Sequence, residues 1–102
     1  MNTYVKKRIK NFYEMVYGKG TLDNKTETEY QNVLNNIKGL IKANTPILKE
    51  KQRQVLELYY NNVFTSIKDI ARMIGITNRM VSIKVKQGEM ILKNAIHRVM
   101  VI

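Results

Sequence analysis

Apolar residues recur every three or four positions along most of the chain, which is the spacing that places them on one face of an α-helix. Such stripes cover about 3–17 and 26–43, and a third predicted helix runs over about 45–60. A fourth helix ends before Gly75, and a long fifth helix covers about 78–98. Because no segment alternates apolar and polar residues as a strand does, we predict an all-α fold of about five helices.

Short polar and glycine signals predict where the first three helices begin and end. Residues 18–20, Gly-Lys-Gly, interrupt the first stripe. Thr26 and Glu29 have the spacing of a capping box, in which the threonine caps the second helix and the glutamate reaches back to it. Thr45 and Pro46 suit the N-cap and the first turn of the third helix, so we expect that helix to begin there.

The segment after the third helix has the spacing of a helix-turn-helix. Apolar residues at three- and four-residue steps form the inner face of its first helix: Ile67, Ile70, Ala71 and Ile74. Gly75 suits a left-handed helix end, Ile76 is apolar inside the turn, and Thr77 can cap the next helix. Val81 and Val85 then fall on the inward side. The main use of this unit is to place its second helix in the DNA major groove, so we expect DNA contact.

The fifth helix continues an apolar stripe beyond this unit. The stripe consists of residues that share one helical side: Ile91, Leu92, Ala95, Ile96 and Val99. We expect it to be covered either by the N-terminal helices or by a second copy of the chain. Gly88 also falls on the inward side, where a neighbouring helix can approach closely.

The charge of the chain is positive and unevenly distributed. The 102 residues include 18 Lys and Arg against 8 Asp and Glu, a net charge of +10. Residues 1–20 carry a net +4 and residues 65–102 a net +5, whereas residues 21–64 carry only +1. A positive field of this size favours phosphate-rich or acidic partners.

Several classes of function are excluded or disfavoured by composition. The chain has no cysteine, which excludes disulfides, thiolate catalysis and zinc fingers. His97 is the only histidine and has no metal-ligating partner three or four residues away, so we favour a surface role or a role at the negative end of the helix dipole over catalysis. We therefore expect that the protein is not an enzyme and that it binds neither a cofactor nor a metal ion. Short apolar runs and the lack of a signal-peptide pattern lead us to expect no membrane contact and a cytoplasmic protein.

The residues before the helix-turn-helix resemble those of a known family. The run 48–60, Leu-Lys-Glu-Lys-Gln-Arg-Gln-Val-Leu-Glu-Leu-Tyr-Tyr, is similar to the corresponding helix in region four of bacterial sigma factors. It is at least as similar to the small YlxM-like proteins, which are relatives of that region. Residues 87–92 resemble the end of their long last helix, so the resemblance covers about 47–93. It implies a sigma-region-four-like helix-turn-helix preceded by two extra helices.

The resemblance also implies which residues contact DNA. Four residues at the start of the last helix correspond to base contacts: Asn78, Arg79, Ser82 and Ile83. Among them Arg79 suits guanine, Asn78 suits adenine or a local cap, and Ile83 suits only a thymine methyl group. Polar and basic residues around them correspond to phosphate contacts: Arg53, Lys68, Arg72, Thr77 and Lys86.

Our first hypothesis is a small, sequence-specific transcription regulator that binds double-stranded DNA. Residues 1–44 form a helical pair for dimerisation or partner docking, residues 45–102 form the DNA-binding region, and we expect one compact domain overall. The Asn- and Lys-rich composition indicates an AT-rich bacterium, or one of its phages or mobile elements.

Two alternatives belong to other classes. In the first, the chain is a protein-binding module, such as a phage modulator, that docks on RNA polymerase, a sigma factor or another host protein. In the second, the basic first helix contacts a membrane surface or RNA, although packing of its stripe, Val5 to Val16, against the second helix is favoured. Tyr59 and Tyr60 are also candidates for stacking on nucleic acid, but Tyr59 fits the core.

Overall fold

The chain forms five α-helices in the computed structural model, which describes residues 1–100, with side chains described up to Arg98. The helices are α1 (Thr3–Tyr17), α2 (Glu27–Ala43), α3 (Glu50–Tyr59), α4 (Ile67–Ile74) and α5 (Asn78–Met100). Residues 1–100 contain no strand, which confirms the all-α prediction. Within the same range, no helix has the length and apolar character that a membrane crossing would need.

The capping box at the start of α2 is confirmed. The Thr26 hydroxyl accepts a hydrogen bond from the Glu29 amide, and the Glu29 carboxylate accepts one from the Thr26 amide, each at 3.2 Å. These bonds satisfy two amides that the helix itself leaves without partners.

The predicted start of the third helix is wrong. The Thr45 hydroxyl donates to the carbonyl of Ile41 at 3.3 Å, so it completes the end of α2 instead of capping α3. Pro46 lies in the turn that follows. α3 begins only at Glu50, and the backbone amide of Lys49 donates to the Gln52 side chain at 3.0 Å.

The larger of two hydrophobic clusters joins α1, α2, α3 and α5. Its buried members come from all four helices and from the loops that connect them: Val5, Ile9, Phe12, Val16, Leu22, Leu34, Ile37, Ile41, Leu48, Leu56, Tyr60 and Leu92. Ile91 and Ile96 pack against this cluster, so helices of the same chain cover the apolar stripe of α5. The side chain of Val99, the last predicted member of that stripe, lies outside the described residues.

The smaller cluster lies within the predicted helix-turn-helix. It buries Val55 of α3 with inward residues of α4 and α5: Ile70, Ala71, Val81 and Val85. Ile67, Ile74 and Ile76 pack against it, as their spacing predicts. Gly75 has φ +80° and ψ 38°, and its amide donates to the Ala71 carbonyl at 2.8 Å, which is the left-handed helix end expected there.

The side chains of Tyr60 and His97 are less exposed to solvent than the sequence predicts. Tyr60 is fully buried with its ring edge against Phe12, so it cannot stack on nucleic acid. His97 is half-buried, and its Nε2 lies 3.2 Å from the carbonyl oxygen of Val16. His97 lies in the last turn of α5, where a helix-dipole role would place it, and it is less exposed than a surface residue because the end of α1 packs on this part of α5.

Candidate nucleic-acid interface

The first turns of α5 separate a buried side from an exposed side. Val81 and Val85 are buried against α3 and α4. Arg79, Ser82 and Lys86 are exposed, and steps of three and four residues place them on the same side of the helix. The inward valines thus fix the orientation of α5, and this orientation turns the polar residues to the outside.

The residues expected to contact bases lie together in the first two turns of α5. Asn78 is the first residue of the helix and is exposed, as are Arg79 and Ser82. Ile83 follows Arg79 by one turn and is half-buried. The structure therefore brings these four residues onto one end of one helix.

The residues expected to contact phosphates are more dispersed. Lys68 is exposed in the first turn of α4, Arg72 in its last turn, and Lys86 in the third turn of α5. Thr77 is exposed, and its hydroxyl accepts a hydrogen bond from the Met80 amide at 3.1 Å. That bond confirms Thr77 as the N-cap of α5 and leaves its hydroxyl hydrogen available to a phosphate oxygen.

Arg53 already has partners within its own helix. Its Nη1 lies 2.8 Å from the Glu57 carboxylate, and its Nη2 bonds to the carboxylate of Glu50. The hydrogen bonds that Arg53 donates to Glu50 and then to Glu57 raise the pKa of the guanidinium, because both carboxylates favour its charged form. A DNA phosphate would have to compete with two carboxylates for Arg53.

Three of the four basic residues of α1 have partners within the chain, and two of these partners are carboxylates. Lys6 pairs with Glu27, and Lys10 pairs with Asp23 at 3.1 Å. The Arg8 guanidinium lies over the Tyr59 ring, 4.0 Å from its centroid, and donates to the Tyr59 carbonyl at 3.0 Å.

The apolar stripe of α1 is buried as well. Val5, Ile9, Phe12 and Val16 all belong to the larger hydrophobic cluster. This burial confirms that the stripe packs inside the protein, as its favoured interpretation predicts.

The positive charge of α4 and α5 is not compensated in the same way. Residues 65–98 carry seven basic residues and two acidic ones. The ion pairs found among the described residues all lie within residues 1–57, and none includes a basic residue of 65–98. The positive field therefore acts outward from α4 and α5, where an anionic partner would experience it.

Within residues 1–98, no three His, Asp or Glu side chains are grouped so that they could hold a metal ion.

Comparison with known proteins adds no relative. No family model matches the chain, and neither a curated protein nor a solved structure matches it. The resemblance to sigma region four thus depends on the residues of 47–93 alone, and a functional proposal has to be argued from the geometry of α4 and α5.

The set expected from sequence leaves out three basic residues of α5, Lys84, Lys93 and Arg98, and one of them continues a regular interval. Lys93 follows Lys86 by seven residues, which is the same interval that separates Lys86 from Arg79. This regular interval is a sequence signal, but the resemblance to sigma region four directs attention only to the first turns of the helix.

Proposed function

We propose that the chain is a small, sequence-specific transcription regulator that inserts the first turns of α5 into the major groove of double-stranded DNA. The observation that carries this proposal is the exposed row of Arg79, Ser82 and Lys86, opposite two buried valines and without a compensating ion pair among the described residues. An α-helix is about 10–12 Å across and the major groove of B-DNA is about 12 Å wide, so one helix fits the groove.

Each residue has a distinct role in this proposal. Arg79 donates two hydrogen bonds to a guanine edge, and Asn78 contacts an adenine. Ser82 and Ile83 add a hydrogen bond and an apolar contact with a thymine methyl group. Base contacts of this kind discriminate between sequences.

The flanking residues hold the protein on the DNA backbone. Lys68 and Arg72 on α4, Thr77 in the turn, and Lys86 on α5 contact phosphates and set the register of α5 in the groove. Arg53 contributes least in this proposal, since Glu50 and Glu57 already bind its guanidinium.

The proposal also covers the location of the protein, its activity and the number of copies bound to DNA. The protein acts in the cytoplasm, where bacterial DNA is found, and it has no enzymatic activity of its own. Two copies bound together would recognise a palindrome whose half-sites lie about 34–36 Å apart, one turn of DNA.

The Arg79→Ala variant tests the role of α5. We expect it to weaken binding to the preferred duplex by about 1–3 kcal/mol while binding to unrelated duplexes barely changes. The measurement is fluorescence anisotropy with both duplexes at one fixed salt concentration. Lys42→Gln is the matched control, because it removes an exposed positive charge from α2. An equal loss on both duplexes would show that Arg79 contacts only the backbone.

A second candidate function is docking on a host protein such as RNA polymerase or a sigma factor. An open cleft of about 700 Å³ lies between the ends of α1, α2 and α5. Tyr17 and Ile47 line it and are 45% and 51% exposed, so a partner could bury both apolar side chains at this cleft. Binding of purified RNA polymerase that Ile47→Lys abolishes and Arg79→Ala preserves would favour this function.

A further inference from the structure

A row of basic residues continues along α5 well past the turns that face the major groove in our proposal. Arg79, Lys86 and Lys93 are spaced seven residues apart. Seven residues are nearly two helical turns, so the three side chains leave the helix on almost the same side. A rise of about 1.5 Å per residue separates successive members by roughly 10 Å and the outer two by roughly 21 Å. We call these three residues the basic row.

The buried side of α5 lies opposite the basic row over its whole length. Val81, Val85, Gly88 and Leu92 are all buried against the other helices. Lys86 is exposed and Lys93 is half-buried. The aliphatic stem of Lys93 can therefore rest on the protein while its ammonium group reaches solvent, as long basic side chains commonly do.

The sequence position of Glu89 would allow it to neutralise the basic row, but in the structure its carboxyl group contacts Tyr60 instead of the lysines. It is the only acidic residue of α5, three residues after Lys86 and four before Lys93, and both intervals allow ion pairs on a helix. Its carboxyl group instead accepts a hydrogen bond from the Tyr60 hydroxyl in the protein interior. Burial also raises the pKa of Glu89, which favours its uncharged form.

The length of the basic row decides which part of the DNA its far end can meet. α5 enters the groove by its first turns, so the depth of the groove limits how much of the helix it can hold. With Arg79 at a base edge, Lys93 lies roughly 21 Å further along the helix, whereas the major groove is only about 8.5 Å deep. Lys93 therefore lies outside the groove, next to the sugar-phosphate backbone that borders it. We propose that Lys93 binds a backbone phosphate of duplex DNA, so that α5 contacts bases at its start and phosphates along its middle.

This inference deepens the proposed function and rests on it. A basic row could also bind single-stranded RNA through phosphates, but the regular seven-residue spacing of the row along one helix favours the regular backbone of a duplex. The two ligands are compared directly in the test.

The test measures how the affinity for duplex DNA depends on salt in the full chain and in three variants. Each phosphate contact adds about 0.9 to the slope of log affinity against log salt. We expect Lys93→Gln and Lys86→Gln each to reduce the slope by about that amount. When salt is raised fourfold, each variant should then lose about three- to fourfold less affinity than the unaltered protein. Lys42→Gln on α2 should leave the slope unchanged. Thermal melting of each variant shows that it is folded.

The possible outcomes separate the inference from the proposed function. A slope that falls in Lys86→Gln but not in Lys93→Gln would overturn the inference alone. Absence of any binding to duplex DNA by the unaltered protein would overturn the proposed function. Equal or tighter binding of single-stranded RNA, with the same loss in Lys93→Gln, would assign the basic row to RNA and overturn the inference.

Glu89→Gln provides an independent test of the basic row. Because the carboxyl group faces Tyr60, we expect this variant to bind duplex DNA with the same slope and within about twofold of the original affinity. A clear gain in affinity or slope would show that Glu89 does neutralise the lysines.

Discussion

The backbone of Gly88 in α5 lies directly against the side chain of Leu56 in α3. A Cβ atom built on Gly88 would lie only 2.6 Å from the Cδ1 of Leu56 and 3.0 Å from its Cγ. Leu56 is fully buried, so it has little room to move away. This contact confirms that Gly88 faces inward at a close approach of two helices, and it fixes the distance between α3 and the helix that carries the proposed DNA contacts.

The Gly88→Ala variant should therefore destabilise the protein although alanine favours helices. Overpacking of a core costs about 1–3 kcal/mol, and the gain in helix propensity over glycine is at most about 1 kcal/mol. We expect a net loss in the free energy of unfolding, measured by urea denaturation followed by circular dichroism.

Gly39→Ala is the matched control for this substitution. Gly39 lies within α2, and a Cβ there would meet no atom within 4 Å. We expect this variant to gain about 0.5–1 kcal/mol, because only the propensity term applies. Stabilisation by both substitutions would contradict the tight contact between Gly88 and Leu56.

The buried Glu89 predicts a specific dependence of stability on pH. Burial raises the pKa of its carboxyl group above the ordinary value of 4.5 in the folded chain. Between the ordinary and the raised pKa, the folded state holds a proton that the unfolded state has lost. The contribution of Glu89 is therefore fully present below pH 4.5, and it decreases as pH rises through the raised pKa.

Glu89→Gln should remove this dependence, since glutamine does not titrate and can still accept a hydrogen bond from Tyr60. The free energy of unfolding, measured by urea denaturation across this pH range, should increase in the variant relative to the unaltered protein as pH rises. Parallel curves for the two proteins would show that the Glu89 pKa is not raised. Glu29 and Glu50, whose pKa values are lowered, contribute with the opposite sign to both proteins and cancel in the difference.

Thr77 connects the stability of α5 with the proposed interface. Its hydroxyl caps the helix through the Met80 amide, so Thr77→Ala should cost about 1 kcal/mol in the free energy of unfolding. Thr77→Ser keeps the hydroxyl, so its melting temperature should be close to that of the unaltered protein. If the alanine and serine variants were equally stable, the cap would contribute nothing to the fold.

Much of this fold is encoded in local patterns. The stripe of α1, the capping box of Thr26 and the left-handed Gly75 each involve residues within about one or two turns, so their spacing is enough to predict them. The pairing of Arg53 has a local signal too, because Glu50 and Glu57 lie three residues before it and four after it.

Other features depend on how distant helices meet. The bond between Tyr60 and Glu89 joins residues 29 apart in sequence, and nothing in either helix alone indicates it. The start of α3 is not predicted because the Thr45 hydroxyl can serve either neighbouring helix, and α2 takes it. His97 is likewise placed by the end of α1, which lies 81 residues earlier.

The proposed interface also combines features that local sequence predicts with features that it does not predict. The exposed side of α5 follows from the inward positions of Val81 and Val85, whereas only the resemblance to sigma region four implies which of its residues contact bases. Which bases they contact depends on the approach of the protein to DNA, and spacing within one helix does not specify that approach.

The most direct test of the central claim is selection of random duplex DNA on the purified protein at near-physiological salt, followed by sequencing. We predict that one sequence motif is enriched, and that the Arg79→Ala variant fails to enrich it. Binding that weakens with salt but enriches no sequence would contradict the account. It would reduce Arg79 and Asn78 to backbone contacts and make protein docking the leading function.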